Sequence, residues 1–532
     1  MKKIITKLCV GLLLITYGTS CTDDFTDLNT DPKNFTEDAV TASEYPLFVK
    51  RALYTPNFMP FDQARGPFQL SHSLFSDVYA NYFATTAPNF GSDQFELVGG
   101  WLNGAYRYFY QRPAPLIKFS EDTAEELGFT LENAIMKVWR VYAYHRITDY
   151  WGPIPYSNFG NQEKEVAYDS QEAIYNDFFT SLEEAVTVLK ANAGGTSFLT
   201  GNDVIYGGDV DSWLKFANTL RLRLAMRVSY VDPALAQSNA EAAVADGVML
   251  ANEDNAVIQT DINFQNSYTT ITQWGEFRMS ADMESILKGY QDPRIASFYS
   301  PADEPDATDD PAGVEFPYEG MQNGQTAEAK ATINFNGETS NMAAPYILGG
   351  DPGPAWVVMA AAEPYFLRAE GALRGWAMGG TSQELYNQGI VANHVQLGYD
   401  GNNLSGDDYV TSTLTPVSFD GGTTPPASTV PVAYNAAGSM EEQLEQIITQ
   451  KWIALWPDSE EAYAERRRTG YPSLYDRVNS INPNIAKDQL PRRMTYTATE
   501  YADNNAATMS AVDNLLGGPD LGTTKLWWDA KN

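Results

Sequence analysis

Three histidines, two cysteines and 68 acidic residues set the chemistry open to this chain of 532 residues. His72, His145 and His394 are scattered, and none lies in an HExxH spacing that would put two imidazoles on one helix face to hold zinc. Cys9 and Cys21 are too few for a disulfide framework or a cysteine-rich zinc site. Neither GxxxxGK nor GxGxxG nor GxSxG occurs, which removes phosphate-cradling loops and a strained serine nucleophile. No metal and no cofactor is called for. The acidic run Asp303, Glu304, Asp306, Asp309 and Asp310 reads as a solvated loop. Asp400 with Asn402 begins an EF-like spacing that fails, because Leu404 takes the fifth position and the sixth lacks glycine. Arg466, Arg467 and Arg468 follow Glu460, Glu461 and Glu465 within one helix, so ion pairing in the scaffold is their expected role.

The elements that carry these residues begin with an export signal. Lys2, Lys3 and Lys7 precede the apolar run 8–15 (LCVGLLLI), too short to span a bilayer. Small residues then lead to Cys21 in YGTSC, a lipobox-like site with Tyr17 and Gly18 where Leu and Ala are usual. Residues 1–20 are thus expected to be removed and Cys21 acylated, which leaves no pair of thiols and raises the net charge from −33 to −36 with the loss of three lysines. Residues 21–40 form an acidic polar tether, too poor in apolar residues to pack. Such a charge opposes nucleic acid. No later run reaches about 18 apolar residues.

Residues 41–532 read as one mainly α domain. Helical periodicity recurs in pairs near 131–190, 213–246, 360–397 and 439–468. In the first, Ile135, Val138, Trp139, Tyr142 and Ala143 share a face, and Gly152-Pro153 ends the helix. Start signals stand at Asp169 with Glu172, at Asp232-Pro233, at Thr381 with Glu384, and at Ser439 with Glu442. Four helix-turn-helix units with large inner aromatics suit a tetratricopeptide-like array. Loop-rich insertions at 251–358 and 398–438 show no sustained helical face and are rich in Asn, Gly, Asp, Pro and aromatics.

These residues resemble the SusD/RagB superfamily of outer-membrane nutrient-binding lipoproteins. The similarity rests on DLNTDP (27–32), DYWGPIPYSN (149–158), QKWIALWPDSEEAYAERRRTGYP (450–472), LPRRMTYTATEYADNNAA (490–507) and KLWWD (525–529), in that order. The resemblance implies a tetratricopeptide-like scaffold with a loop-rich ligand-binding subregion, anchored outside the cell through Cys21. It further implies capture of oligosaccharides, or in some branches peptides, for a SusC-type TonB-dependent barrel, without catalysis. Flat rings stack on sugar C–H faces while amides bond the hydroxyls. The candidates are therefore Asn81, Tyr82, Phe83 and Phe90 with Asn89, Gln273 with Trp274, and Tyr346 and Trp356. Trp101, Trp139, Trp213 and Trp452 sit on helical faces as packing. The alternative is a surface lipoprotein glycoside hydrolase, since 68 acids supply many carboxylate pairs.

Cys21→Ala is expected to move the protein from the membrane fraction to the soluble one. Membrane retention equal to that of the unaltered chain would refute acylation as the anchor.

Overall fold

The computed structural model describes residues 40–57, 65–347 apart from 309, 312 and 314, 352–399 and 409–531. The signal segment, Cys21 and nearly all of the tether lie outside the described residues, as do Asp400, Asn402 and Leu404. Two compact units divide the chain, Met1–Pro46 and Leu47–Asn532. The second is mainly helical, with 52% helix and 4% strand in the chain and no closed sheet among the described residues.

Its long helices are α1 (Gly99–Gln111), α2 (Pro113–Glu126), α3 (Thr130–Trp151), α4 (Gln171–Ala191), α5 (Val210–Arg227), α6 (Pro233–Asp246), α7 (Ala281–Tyr290), α8 (Ala362–Leu373), α9 (Ser382–Gln396), α10 (Met440–Leu455) and α11 (Ser459–Thr469). Successive helices from α2 to α6 pack side by side, α8 packs on α9 and α10, and α5 meets α8. This is the helical-hairpin arrangement of a tetratricopeptide-like array.

Local chemistry sets the helix starts. Asp232 accepts from Leu235 N at 3.0 Å, with Pro233 locked in helical φ behind it. Thr381 and Glu384 close a reciprocal capping box at α9. At α4 the cap is Ser170, one residue beyond the expected Asp169. Asp169 instead accepts from Ser157 N and Oγ, closing the α3–α4 connection. Gly152 ends α3 at φ +83°, a conformation that suits glycine, and a Cβ there would stand 3.0 Å from Leu526.

The insertion 251–358, expected to lack helix, contains α7. All ten of its residues are buried, so no polar face betrays the helix in the sequence. Ser280 caps it by accepting from Met283 N, and Glu284 and Lys288 pair at 2.7 Å one turn apart. Two small antiparallel sheets complete this region. Strand β1 (Phe83–Thr85) pairs with β3 (Phe277–Met279), and β2 (Ala256–Ile258) with β4 (Trp356–Met359).

Between the helices runs a buried ionic network. Arg227 reaches Glu461 at 2.6 Å, Glu465 at 3.0 Å and Asp149 at 3.3 Å, joining α5, α11 and α3. Arg468 holds Glu370 at 2.6 Å and Glu465 at 2.7 Å, while Lys451 of α10 lies 3.1 Å from Glu465 and 3.4 Å from Glu461. Arg223 grips Glu363 through Nε at 2.8 Å. Arg146 pairs with Asp458 at 2.9 Å and with Glu460. Burial alone would push the Glu461 carboxyl up, yet Arg227, Arg223 and Lys451 outweigh it and hold the group down at about 2. Buried charges survive only with such partners.

Arg468→Met would leave Glu370 and Glu465 underpaired inside the protein, and a loss of about 3–5 kcal/mol is expected in urea unfolding. The Glu461 carboxyl titrates lower in the folded chain than its ordinary 4.5. Its stabilisation is therefore complete above pH about 4.5 and lost as pH falls toward 2. Glu461→Gln should flatten the slope of stability against pH across that window, and an unchanged slope would remove Glu461 from the account.

Candidate functional site

Asn81 starts the site from below. It takes the left-handed conformation (φ +57°), its Nδ2 donates to Asp282 at 2.6 Å, and its Oδ1 accepts from Arg466 at 3.2 Å and Arg477 at 2.7 Å. The turn aims the next residues into β1, where Phe83 faces Met279 and Thr85 faces Phe277 across the ladder. This pairing brings residues 83–90 beside residues 272–279, which are far apart in the chain. Thr86 ties the two together, its N donating to Glu276 O at 2.9 Å and its Oγ1 to Gly275 O at 2.7 Å.

A cluster of Phe90, Trp101 and Phe277 results, and Trp274 shortly precedes Phe277 in the chain; together they are called the shelf. Phe90 is half-buried, edge-on to Trp101 at 5.4 Å and 6.0 Å from Phe277. Trp274 ends a 3₁₀ turn before Gly275 (φ +67°) and is 45% exposed, a large apolar ring presented to solvent. Polar groups surround these rings. Asn89 and Gln273 are exposed, the Asn336 amide lies beside Gly275, and Gln69 donates to Glu276 at 2.6 Å. Partial burial pushes the Glu276 carboxyl up, with the Gln69 bond opposing. Flat apolar rings ringed by amides and a carboxylate can stack on a sugar face and bond its hydroxyls.

The other expected site residues lie elsewhere. Asn81 and Tyr82 are fully buried and Phe83 is 3% exposed, so they offer a ligand no surface. Tyr82 donates to Trp452 O at 2.5 Å, and Trp452 Nε1 returns a bond to Ala80 O at 2.8 Å. The ANYFATTAPNF segment therefore splits. Its start is a core strand, because β1 is buried on both faces, and only its end reaches the shelf. Trp356, in β4, is also core, parallel to Tyr268 at 6.2 Å and edge-on to Phe68 at 5.7 Å. Tyr346 is half-buried, edge-on to Trp456 at 5.5 Å, and its carbonyl accepts from Thr272 Oγ1 at 2.6 Å. It backs the turn that carries Trp274.

Trp101, expected as packing, is half-buried and lies edge-on to the core ring of Phe75 at 6.5 Å as well as to Phe90. It occupies the first turn of α1, where a side chain looks out past the helix end, and the paired Gly99-Gly100 before it is the one signal of that position. Asn336 left no sequence trace, since its placement depends on a long-range fold contact. Asp77, lying behind the shelf, accepts from Tyr268 at 2.9 Å, and burial pushes its carboxyl up to about 7. That pKa would suit a general acid, but the residue is 1% exposed and sealed from any substrate. Among the described residues, no group of three His, Cys, Asp or Glu could hold a metal ion, and no helix is long and apolar enough to cross a membrane.

Comparison with known proteins places this geometry. The family described as "SusD-like: Susd and RagB outer membrane lipoprotein" matches residues 27–529. A chitin-binding SusD homologue from Flavobacterium johnsoniae is 37% identical, with 92% of this chain and 98% of that one covered and a TM-score of 0.79. A SusD homologue from Bacteroides vulgatus is 32% identical over 92% and 98% of the two chains, TM-score 0.82. One from Bacteroides thetaiotaomicron is 30% identical over 92% and 99%, TM-score 0.78. No curated protein matches the chain.

Truncation separates shelf from core. Trp274→Ala should leave stability within about 0.5 kcal/mol. Tyr82→Ala should cost about 3–5 kcal/mol in the same unfolding assay. Comparable losses for the two would return Trp274 to the core.

Proposed function

The chain belongs to the SusD-like family of outer membrane lipoproteins, and on that premise we propose that it is a non-catalytic oligosaccharide-binding protein of the cell surface. Its acylated Cys21 holds it to the outer membrane, and it passes bound glycan to a SusC-type TonB-dependent barrel. The observation that supports this reading is the solvent-facing Trp274, in the turn before strand β3, whose Phe277 packs by Phe90, and next in the chain to Gly275, beside which the Asn336 amide lies.

The relative at 37% identity is described as chitin-binding, which makes N-acetylglucosamine oligomers the first ligands to try. Neutral sugars are indifferent to the net charge of −33, so the acidity that repels polyanions leaves this function open. Stacking on a rigid scaffold needs no moving parts. Asp77 has no catalytic role in this reading, its raised carboxyl being buried out of a ligand's reach.

Calorimetry of soluble Cys21→Ala protein against neutral oligosaccharides and peptides should find a saturable glycan. Trp274→Ala should weaken that binding by about 1–3 kcal/mol without altering the unfolding curve. No reducing ends should accumulate. Sustained turnover would sink the binding reading in favour of hydrolysis, and binding to peptides alone would replace the glycan.

A further inference from the structure

A cleft of about 450 Å³ is lined by Phe95, Arg466 of α11 and the segments that follow α11, and shares no residue with the aromatic shelf. Arg466, Arg477, Lys487, Arg492 and Lys525 line it, against the two acidic side chains Asp476 and Asp488. In a chain with 35 cationic and 68 anionic residues, this gathering of positive charge runs against composition.

Two of these arginines, Arg466 and Arg477, lack the close carboxylate partner that Arg223, Arg227 and Arg468 have. The run Arg466–Arg468 was expected to pair with the preceding glutamates, and Arg468 does. Arg467 instead donates to the carbonyls of Asp149 at 2.6 Å and Arg492 at 2.9 Å. Arg466 donates through Nη1 to Tyr79 O at 3.1 Å and to Asn81, which leaves Nε and Nη2 without an acceptor among the described residues. Arg477 is 2% exposed, is fixed by Asn81 and Val78 O, lies over the Phe95 ring at 5.0 Å, and its Nε has no partner. No carboxylate comes within 4.0 Å of either guanidinium among the described residues. Burial, and then the like charge of Arg477, lower Arg466 to about 10. Arg492 is neutralised by Asp529 at 3.0 Å, and Lys525 donates to Lys531 O at 3.1 Å, while Lys487 is exposed. This pair of guanidiniums shares one neutral acceptor, Asn81 Oδ1, while the acidic groups whose charge acts on it, Asp282, Asp476 and Asp93, make no ion pair with either.

We propose that this cleft is an oxyanion site that takes the carboxylate or sulfate of an acidic sugar. Arg466 supplies free N–H donors, Arg477 supplies buried positive charge from the floor, and Lys487 and Lys525 close over the anion from the rim. Guanidinium donors match the planar or tetrahedral oxygens of such groups, and a bound anion relieves the repulsion between the two arginines. A free inorganic anion carries the same chemistry.

The test uses soluble Cys21→Ala protein titrated with sodium sulfate and with glucuronate at constant ionic strength, chloride and glucose serving as controls. Saturable binding and a rise in melting temperature are expected with glucuronate, and more weakly with sulfate. Lys487→Glu with Lys525→Glu should weaken that binding at least tenfold while leaving neutral N-acetylglucosamine oligomers bound as before. Arg466→Gln, its folding checked by circular dichroism, should do the same. Glucuronate binding tenfold tighter than sulfate supports the sugar acid, whereas sulfate alone overturns the sugar and leaves an inorganic anion. No saturable binding of either, or equal binding by the rim variant, overturns the site. Neutral-glycan binding, measured in parallel, reports on the shelf separately.

Discussion

Charge pairing inside the helical array is the constraint on which the rest depends. Arg227 alone must satisfy carboxylates from α3 and α11 while sitting on α5, and Arg468 joins α11 to α8. Lys451 adds α10 to the same cluster. Apolar faces tolerate sliding by a fraction of a turn, but a buried ion moved by that much loses its partner and faces the full cost of desolvation. The network therefore admits few docking registers for five helices at once. It also accounts for Glu460, Glu461, Glu465 and Arg468, four of the six charges in the ten residues 459–468 that would otherwise read as a solvated surface.

From that fixed point the binding face follows by short links. The exchange between Tyr82 and Trp452 locks residues 80–82 onto α10, and Ser76 meets Ser459 of α11 at 2.8 Å. Tyr268 bridges Asp77 and Pro457 O, setting the segment that ends in Trp274. The shelf is thus held by core residues, several of which resemble ligand contacts when read as isolated aromatics. Asn81 serves two sides of the molecule, aiming β1 toward the shelf and holding Arg466 and Arg477 in the basic cleft.

Much of the scaffold was legible because helix caps and one-sided helices leave local signals. Asp232-Pro233 and the Thr381–Glu384 box name their own positions, and the error at Asp169 is one residue. Elements without an outside were not legible. Helix α7 is buried all round and shows no period, and Tyr82 and Phe83 at the start of β1 are the residue types a binding loop would carry. Phe90 and Trp274 were found by type, but Trp101 and Asn336 join them only through long-range contacts that sequence spacing does not encode. The divergence of Arg466 from Arg468 has the same cause, since two residues on one helix differ in what packs against them.

The central claim is that Trp274 with Phe90 and Trp101 forms the ligand platform while Tyr82, Phe83 and Trp356 form its support. A crystal structure of the soluble chain with a bound N-acetylglucosamine oligomer tests it most directly. The account predicts a sugar ring stacked on Trp274, with its hydroxyls within hydrogen-bond reach of Asn336, Asn89 or Gln273, and with β1 unmoved. A sugar seated elsewhere, or one reached only after Tyr82 and Trp356 leave the core, would contradict it.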